Sequence, residues 1–156
     1  DDQALNEHHD STPKAKIEIK KISVQGEPVN GRCTISPGKE LKVVIEVKNT
    51  LPAFETTFGL DVFNKLGTKL LHLRSDAQQN FKLNNGENII SFTMNELPLV
   101  SGSYNVNWWI AEYKGRRIEE QQPLMIWDVL PRNLFNDQQS HIKNAILVVD
   151  TRFEVN

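Results

Sequence analysis

"YNVNWWIAEY", residues 104–113, alternates with the period of a β-strand. Tyr104, Val106, Trp108, Ile110 and Glu112 fall on one face; Asn105, Asn107, Trp109, Ala111 and Tyr113 fall on the other. The adjacent tryptophans therefore point opposite ways. The first face is bulky and apolar and is read as the core face. The second mixes amides with aromatics and is read as facing outward, with Trp109 as its exposed ring.

The flanking sequence repeats the pattern. "ELKVVIEVKN" places Leu41, Val43, Ile45 and Val47 on one face, as a half-buried strand does. "AKIEIKKISV" alternates, slips at Lys20–Lys21 and resumes at Ile22, which predicts a bulge. "RCTIS", "FGLDVFN", "KLLHLR", "FKL" and "NIISFTMN" are further strands, and "TLPAFETT" is read as a loop. In "NNGE", Gly86 suits a positive φ. "YKGRR" predicts a hairpin, returning through "RIEEQQ", whose polarity marks a sheet edge. "PLMIWDVL" follows, with Trp127 read as core. The seven prolines sit in loops or at strand ends. Turn signals every roughly 8–12 residues, with no sustained helical spacing, predict an antiparallel sandwich or barrel. Residues 1–14 are polar and aperiodic and read as a linker or tail, 15–131 as the β-domain, and 132–156 as an extension ending in the β-rich "AILVVDTRFEV".

Composition excludes several classes of function. The 156 residues are 38% hydrophobic and 24% charged, with a net charge of −2, a globular composition that makes no electrostatic case for nucleic acid. No apolar run approaches the roughly 20 residues that span a bilayer. Asp1 opens the chain without a signal-peptide pattern, so it reads as part of a longer protein. Cys33 is the single cysteine, which rules out an internal disulfide, and it reads as a small strand residue. There is no phosphate-cradling G-x-x-x-x-G-K-S/T and no G-x-S-x-G elbow. "EHHD" lies in the tail and reads as solvated. Glu119 and Glu120 are adjacent, hence on opposite faces, and do not form a glycosidase pair. No cofactor or metal is expected, and no enzymatic activity.

The outward face of 104–113 suits a sugar. An aromatic offers a flat apolar platform to a ring's C–H side, and an amide donates and accepts as a hydroxyl does. Asn107 and Trp109 offer both, about 7 Å apart. Asp61, His72 and Arg74 add hydrogen bonds if their strands are neighbours. Asn105 and Tyr113 complete the candidate set. A protein partner would use a similar aromatic, amide-rich patch, and the residues alone do not choose. With Trp109 exposed, its replacement by alanine is expected to abolish binding at little cost in stability.

The order "KIEIKKISV…ISPGKELKVVIEVK…FGLDVFNKLGTKL…NNGENIISFTMNELPLVSGSYNVNWWI…MIWDV", about residues 16–130, resembles the C-terminal domain of the ATPase subunit of O-antigen polysaccharide ABC transporters. The matching pieces are Gly38 with Leu41 and Val43; Phe58–Gly59–Leu60 with Gly67; and Leu99 with Gly102 and Tyr104. Ser101 replaces a usual Pro, and "LLHLRSDAQ" replaces a Phe- and Asn-containing motif, which points to a different glycan. The resemblance implies an all-β, antiparallel immunoglobulin-like β-sandwich, with a jelly roll as the alternative. It implies a non-catalytic domain that binds the non-reducing terminus of O-polysaccharide as an export signal. It also implies an ATPase domain outside this chain, through which a membrane-embedded transporter subunit is reached, and a location at the cytoplasmic face of the bacterial inner membrane. Such ATPases work in pairs, so a homodimer is expected; the terminal strand either pairs with its own sheet or, after the long polar link, exchanges with a second copy.

Overall fold

Alternation becomes strand pairing along most of the chain. The computed structural model describes residues 16–75, 81–112, 115, 117–132 and 151–155. The described strands are β1 (Ile17–Val24), β2 (Glu27–Pro28), β3 (Arg32–Ile35), β4 (Leu41–Asn49), β5 (Phe54–Phe63), β6 (Lys69–Arg74), β7 (Phe81–Leu83), β8 (Gly86–Met94), β9 (Gly102–Glu112), β10 (Arg117–Val129) and β11 (Thr151–Val155). One sheet has the order β11-β8-β4-β1-β2; the other has the order β3-β10-β9-β5-β6, with β7 also on β5. The fold is an all-β sandwich.

The core lies between the sheets. Val43, Ile45, Ile90 and Phe92 from the first meet Phe58, Leu60, Val106 and Trp108 from the second, all essentially buried. Phe58 and Phe92 meet edge to face across the gap, with ring centroids 5.3 Å apart. Trp127 is fully buried, as read from sequence.

Local signals explain several joints. The register of β1 on β4 shifts between Ile19 and Lys21, where the pattern slipped. Gly86 has a φ of 92°. Around it, the buried Asn49 and Asn88 amides each donate to the Asn84 carbonyl, at 3.0 and 2.8 Å, tying the β4 and β8 ends together. Tyr104 explains the L-x-x-G-x-Y spacing. Its buried ring lies at the start of β9, and its hydroxyl donates to the Val100 carbonyl four residues back, at 2.7 Å. This is the tyrosine-corner device of β-sandwiches.

Three expectations need correction. The sheets are not wholly antiparallel, because β3 runs parallel to Ile126–Val129 of β10. The chain crosses from the first sheet to the second between β2 and β3, so no hairpin dictates the direction of β3. "TLPAFETT" is not all loop: from Phe54 it is the start of β5, where Phe54–Thr56 pair with β7 and buried Thr56 donates to the Ala111 carbonyl at 2.9 Å. "RIEEQQ" and "PLMIWDV" form one strand, broken in register between Gln121 and Met125, around Pro123. Among the described residues its first half pairs only with β9, which accounts for its edge-like polarity. Of the predicted "YKGRR" hairpin, Tyr113, Lys114 and Arg116 lie outside the described residues, while β9 and β10 pair on either side of it, Ala111 opposite Arg117.

Replacing Tyr104 with Phe removes the corner hydrogen bond and keeps the ring. Urea unfolding should show a loss of about 1 kcal/mol with an unchanged m-value. An unchanged midpoint would mean that the corner is held by packing alone.

Candidate functional site

Register decides which side chains meet on the outer face of the second sheet. Across β9 and β5, Trp109 lies opposite Gly59 and Asn107 opposite Asp61. Across β5 and β6, Gly59 lies opposite Arg74 and Asp61 opposite His72. Paired residues share a face, so Trp109, Asn107, Asp61, His72 and Arg74 occupy two adjacent rows. Asn105, opposite Phe63, opens the next row. Six of the seven candidate residues therefore come together, and Tyr113 lies outside the described residues.

Alternation divides the tryptophans as expected, but Trp109 is not an open platform. It is only 5% exposed. His72 stacks on it, with ring centroids 5.9 Å apart and planes 17° from parallel. The Arg74 guanidinium carbon is 5.9 Å from the ring centroid. Below, the ring lies where a side chain of residue 59 would be: a Cβ on Gly59 would sit 2.5 Å from Trp109 Cζ2 and 2.4 Å from the Leu73 carbonyl oxygen. The missing Cβ lets the indole sink into the sheet. The premise that alanine at 109 costs little stability is thereby overturned, because a buried aromatic is lost.

Asp61 anchors the polar row. Its carboxylate is nearly buried, hydrogen-bonded to His72 Nδ1 and 3.4 Å from Lys69 Nζ. Both partners remain partly exposed. A buried carboxylate needs such partners, and in return it fixes where they stand. Lys69 also lies over the Phe63 ring, 5.7 Å from its centroid. Asn107 is half-buried beside this anchor and Asn105 is exposed. The result is an aromatic floor under an ordered layer of imidazole, guanidinium, ammonium and amide groups. Such a layer suits hydroxyl-rich ligands.

Sequence reasoning missed Lys69, Phe63 and the part played by Gly59. Gly59 was visible only as a piece of the family motif, and no local pattern reveals which ring it accommodates. Cys33 is no nucleophile: burial, aided by the Asp128 charge, pushes its thiol up to about 11. Among the described residues, no three His, Cys, Asp or Glu side chains gather to hold a metal. "EHHD" lies outside the described residues.

Gly59→Ala should displace Trp109 and strain the β5–β6 ladder, costing about 1–3 kcal/mol in denaturant unfolding. Trp108 and Trp127 are at most 1% exposed, so a red shift of native emission would report Trp109. A native spectrum and an unchanged midpoint would refute the seating of Trp109 on Gly59.

Residues 8–131 match the family described as the Wzt C-terminal domain. No curated protein matches the chain. Among solved structures, the crystal structure of the C-terminal domain of Wzt is similar in fold, with a TM-score of 0.62, 14% identity and 77% of each chain covered. Two more distant likenesses say nothing of the site. The Pseudomonas fluorescens alkylpurine DNA glycosylase AlkC, bound to DNA containing an abasic site analog, has a TM-score of 0.46 at 13% identity, covering 74% of this chain and 30% of that one. A Niemann-Pick type C2 protein from the Japanese carpenter ant has a TM-score of 0.45 at 9% identity, covering 73% and 92%. The family match spans most of the sequence and agrees with the sandwich just described: the chain belongs to the Wzt C-terminal domain family.

Proposed function

We propose that this domain is a non-catalytic carbohydrate-recognition module of an ABC transporter, binding the non-reducing terminus of an O-antigen polysaccharide as an export signal. The observation that carries the reading is the gathering of His72 and Arg74 over Trp109 with Asn107 and Asp61 in the row beside it, on one sheet face. The outer face of the other sheet differs. There Glu18, Lys48 and Glu87 form one row and Lys21 and Glu46 lie in the next, a mosaic of opposite charges suited to solvent. In the proposed site, His72 and Arg74 form the surface that meets the sugar, with Trp109 as the floor that orients them. Asn107 exchanges hydrogen bonds with a hydroxyl, and Arg74 and Lys69 favour acceptor oxygens. Tyr113, which follows Glu112 in the sequence, is retained as a flanking contact. A terminus that lacks the matching groups leaves these polar side chains unpaired, which is the source of discrimination.

The wider setting is part of the same proposal. The domain follows an ATPase domain through the linker at 1–14, works at the cytoplasmic face of the inner membrane, and reaches the membrane-embedded subunit through that ATPase. Among the described residues, no helix is long and apolar enough to cross a membrane. The module acts as a homodimer. In the structure, β11 pairs with β8 of its own chain over Thr151–Val155; exchanged strands in a dimer would make the same ladder with the partner's β8.

Two measurements test this. In calorimetric titration, the chain should bind O-polysaccharide carrying its natural terminal cap at least roughly tenfold more tightly than the uncapped polymer, and His72→Ala or Asn107→Ala should erase the difference. Equal binding to both polymers would overturn the export-signal reading. Binding to a protein partner with indifference to the glycan would favour an interaction module. Separately, deleting 141–156 should convert a dimeric solution mass to a monomeric one. An unchanged dimer would show that the terminal strand is not the main contact.

A further inference from the structure

Beyond Asn107, the same face continues along β9 toward Ser103. Alternate residues of a strand advance by about 7 Å, so Trp109, Asn107, Asn105 and Ser103 mark a track roughly 20 Å long. Asn105 is exposed and lies between Phe63 of β5 and Ile126 of β10, its cross-strand neighbours, both half-buried. An aromatic ring, an amide and an aliphatic side chain thus form one level row. In the next row Ser103 faces Asp128, donating to its Oδ1 at 2.6 Å. Arg32, from β3, grips the same carboxylate through Nε and through Nη2, the latter at 2.8 Å, and its Nη2 lies 3.4 Å from Ser103 Oγ. Arg32 and Asp128 both remain partly exposed.

We infer that this stretch is a second carbohydrate subsite, taking an internal, uncharged sugar of the same polysaccharide, with Phe63, Asn105 and Ile126 as its floor and Ser103, Asp128 and Arg32 as its polar edge. The inference rests on the glycan-binding reading of the face. Three features commit it to a neutral sugar. Arg32 and Asp128 neutralise each other, and the hydrogen bonds from Arg32 and Ser103 hold the Asp128 carboxyl down at about 2, so the edge offers a fixed carboxylate already matched by a cation. The row beside it supplies flat apolar surface with one amide, the mixture that a pyranose presents in reverse. β9 is hydrogen-bonded on both sides, to β5 and to β10, and β10 over Ile126–Val129 to both β9 and β3. The strands under the floor therefore offer a peptide no free edge to extend, β3 being the outermost described strand of the sheet, and recognition over the floor falls to side chains. Lys69, which touches Asp61 and lies over Phe63, joins the two subsites.

The test compares two fragments of the encoding organism's O-polysaccharide, a terminal disaccharide and a terminal hexasaccharide, both capped. The hexasaccharide should bind the full chain roughly tenfold more tightly, the worth of one or two hydrogen bonds. The double variant Arg32→Ala/Asp128→Ala removes both charges together and leaves Phe63 and Lys69 in place. It should reduce that advantage without weakening the disaccharide, with cooperative unfolding retained. Equal affinity of the wild-type chain for the two fragments would overturn the second subsite while leaving the terminal site standing. Failure of both fragments to bind would overturn the glycan-binding reading and the second subsite with it.

Discussion

The pairing of β5 with β9 is the constraint on which both core and site depend. It sets Leu60 against Trp108 on one face and Gly59 against Trp109 on the other. Trp108 then fills the space between the sheets, while Trp109 lies flat where Gly59 offers no side chain. A slip of one residue would exchange the faces, exposing Trp108 and driving Trp109 into the core. The two tryptophans lock the register because their partners differ so much in size.

From that register the electrostatics follow. Asp61 enters the sheet beside Trp109 and is removed from water, a costly move for a carboxylate without partners. Lys69 and His72 supply them from the neighbouring edge strand, and both reach solvent beyond it. The buried anion acts as a peg: His72 is held by it on one side and by the indole below. Long side chains on an edge strand ordinarily lose rotamer freedom when they meet a ligand. Here much of that ordering is complete beforehand, so a ligand bound as proposed would lose less binding free energy to it.

What the sequence revealed divides along physical lines. Features that depend on one segment's own periodicity were legible: the faces of β4 and β9, the bulge in β1, the core position of Trp127, the turn at Gly86. Features that depend on two segments were not. Nothing in "RCTIS" says that it lies parallel to the end of β10, and nothing in "TLPAFE" says that β7 will pair with it. The candidate residues lie on three segments whose own alternation does not show that β9, β5 and β6 are neighbours, and the register brings six of them onto one face. The exposure of Trp109 was misjudged for the same reason. Alternation gives direction but not cover, and the cover comes from His72 and Arg74 on a strand more than thirty residues earlier.

The burial of Trp109 changes how such a face works. An exposed indole would bind many sugars through their C–H surfaces, with little choice among them. Placed beneath an imidazole and a guanidinium, it acts through the groups it supports. Those groups are directional, and His72 shares Asp61 with Lys69, so a ligand that displaces one disturbs the pairing of the other. Affinity in such an arrangement is limited by the cost of leaving any member unsatisfied, and this penalty is larger than the gain from a single well-made hydrogen bond. On the proposed reading, a domain that recognises one chain end among many similar sugars would benefit from that asymmetry, which the sandwich would supply by sinking its most adhesive ring into the sheet.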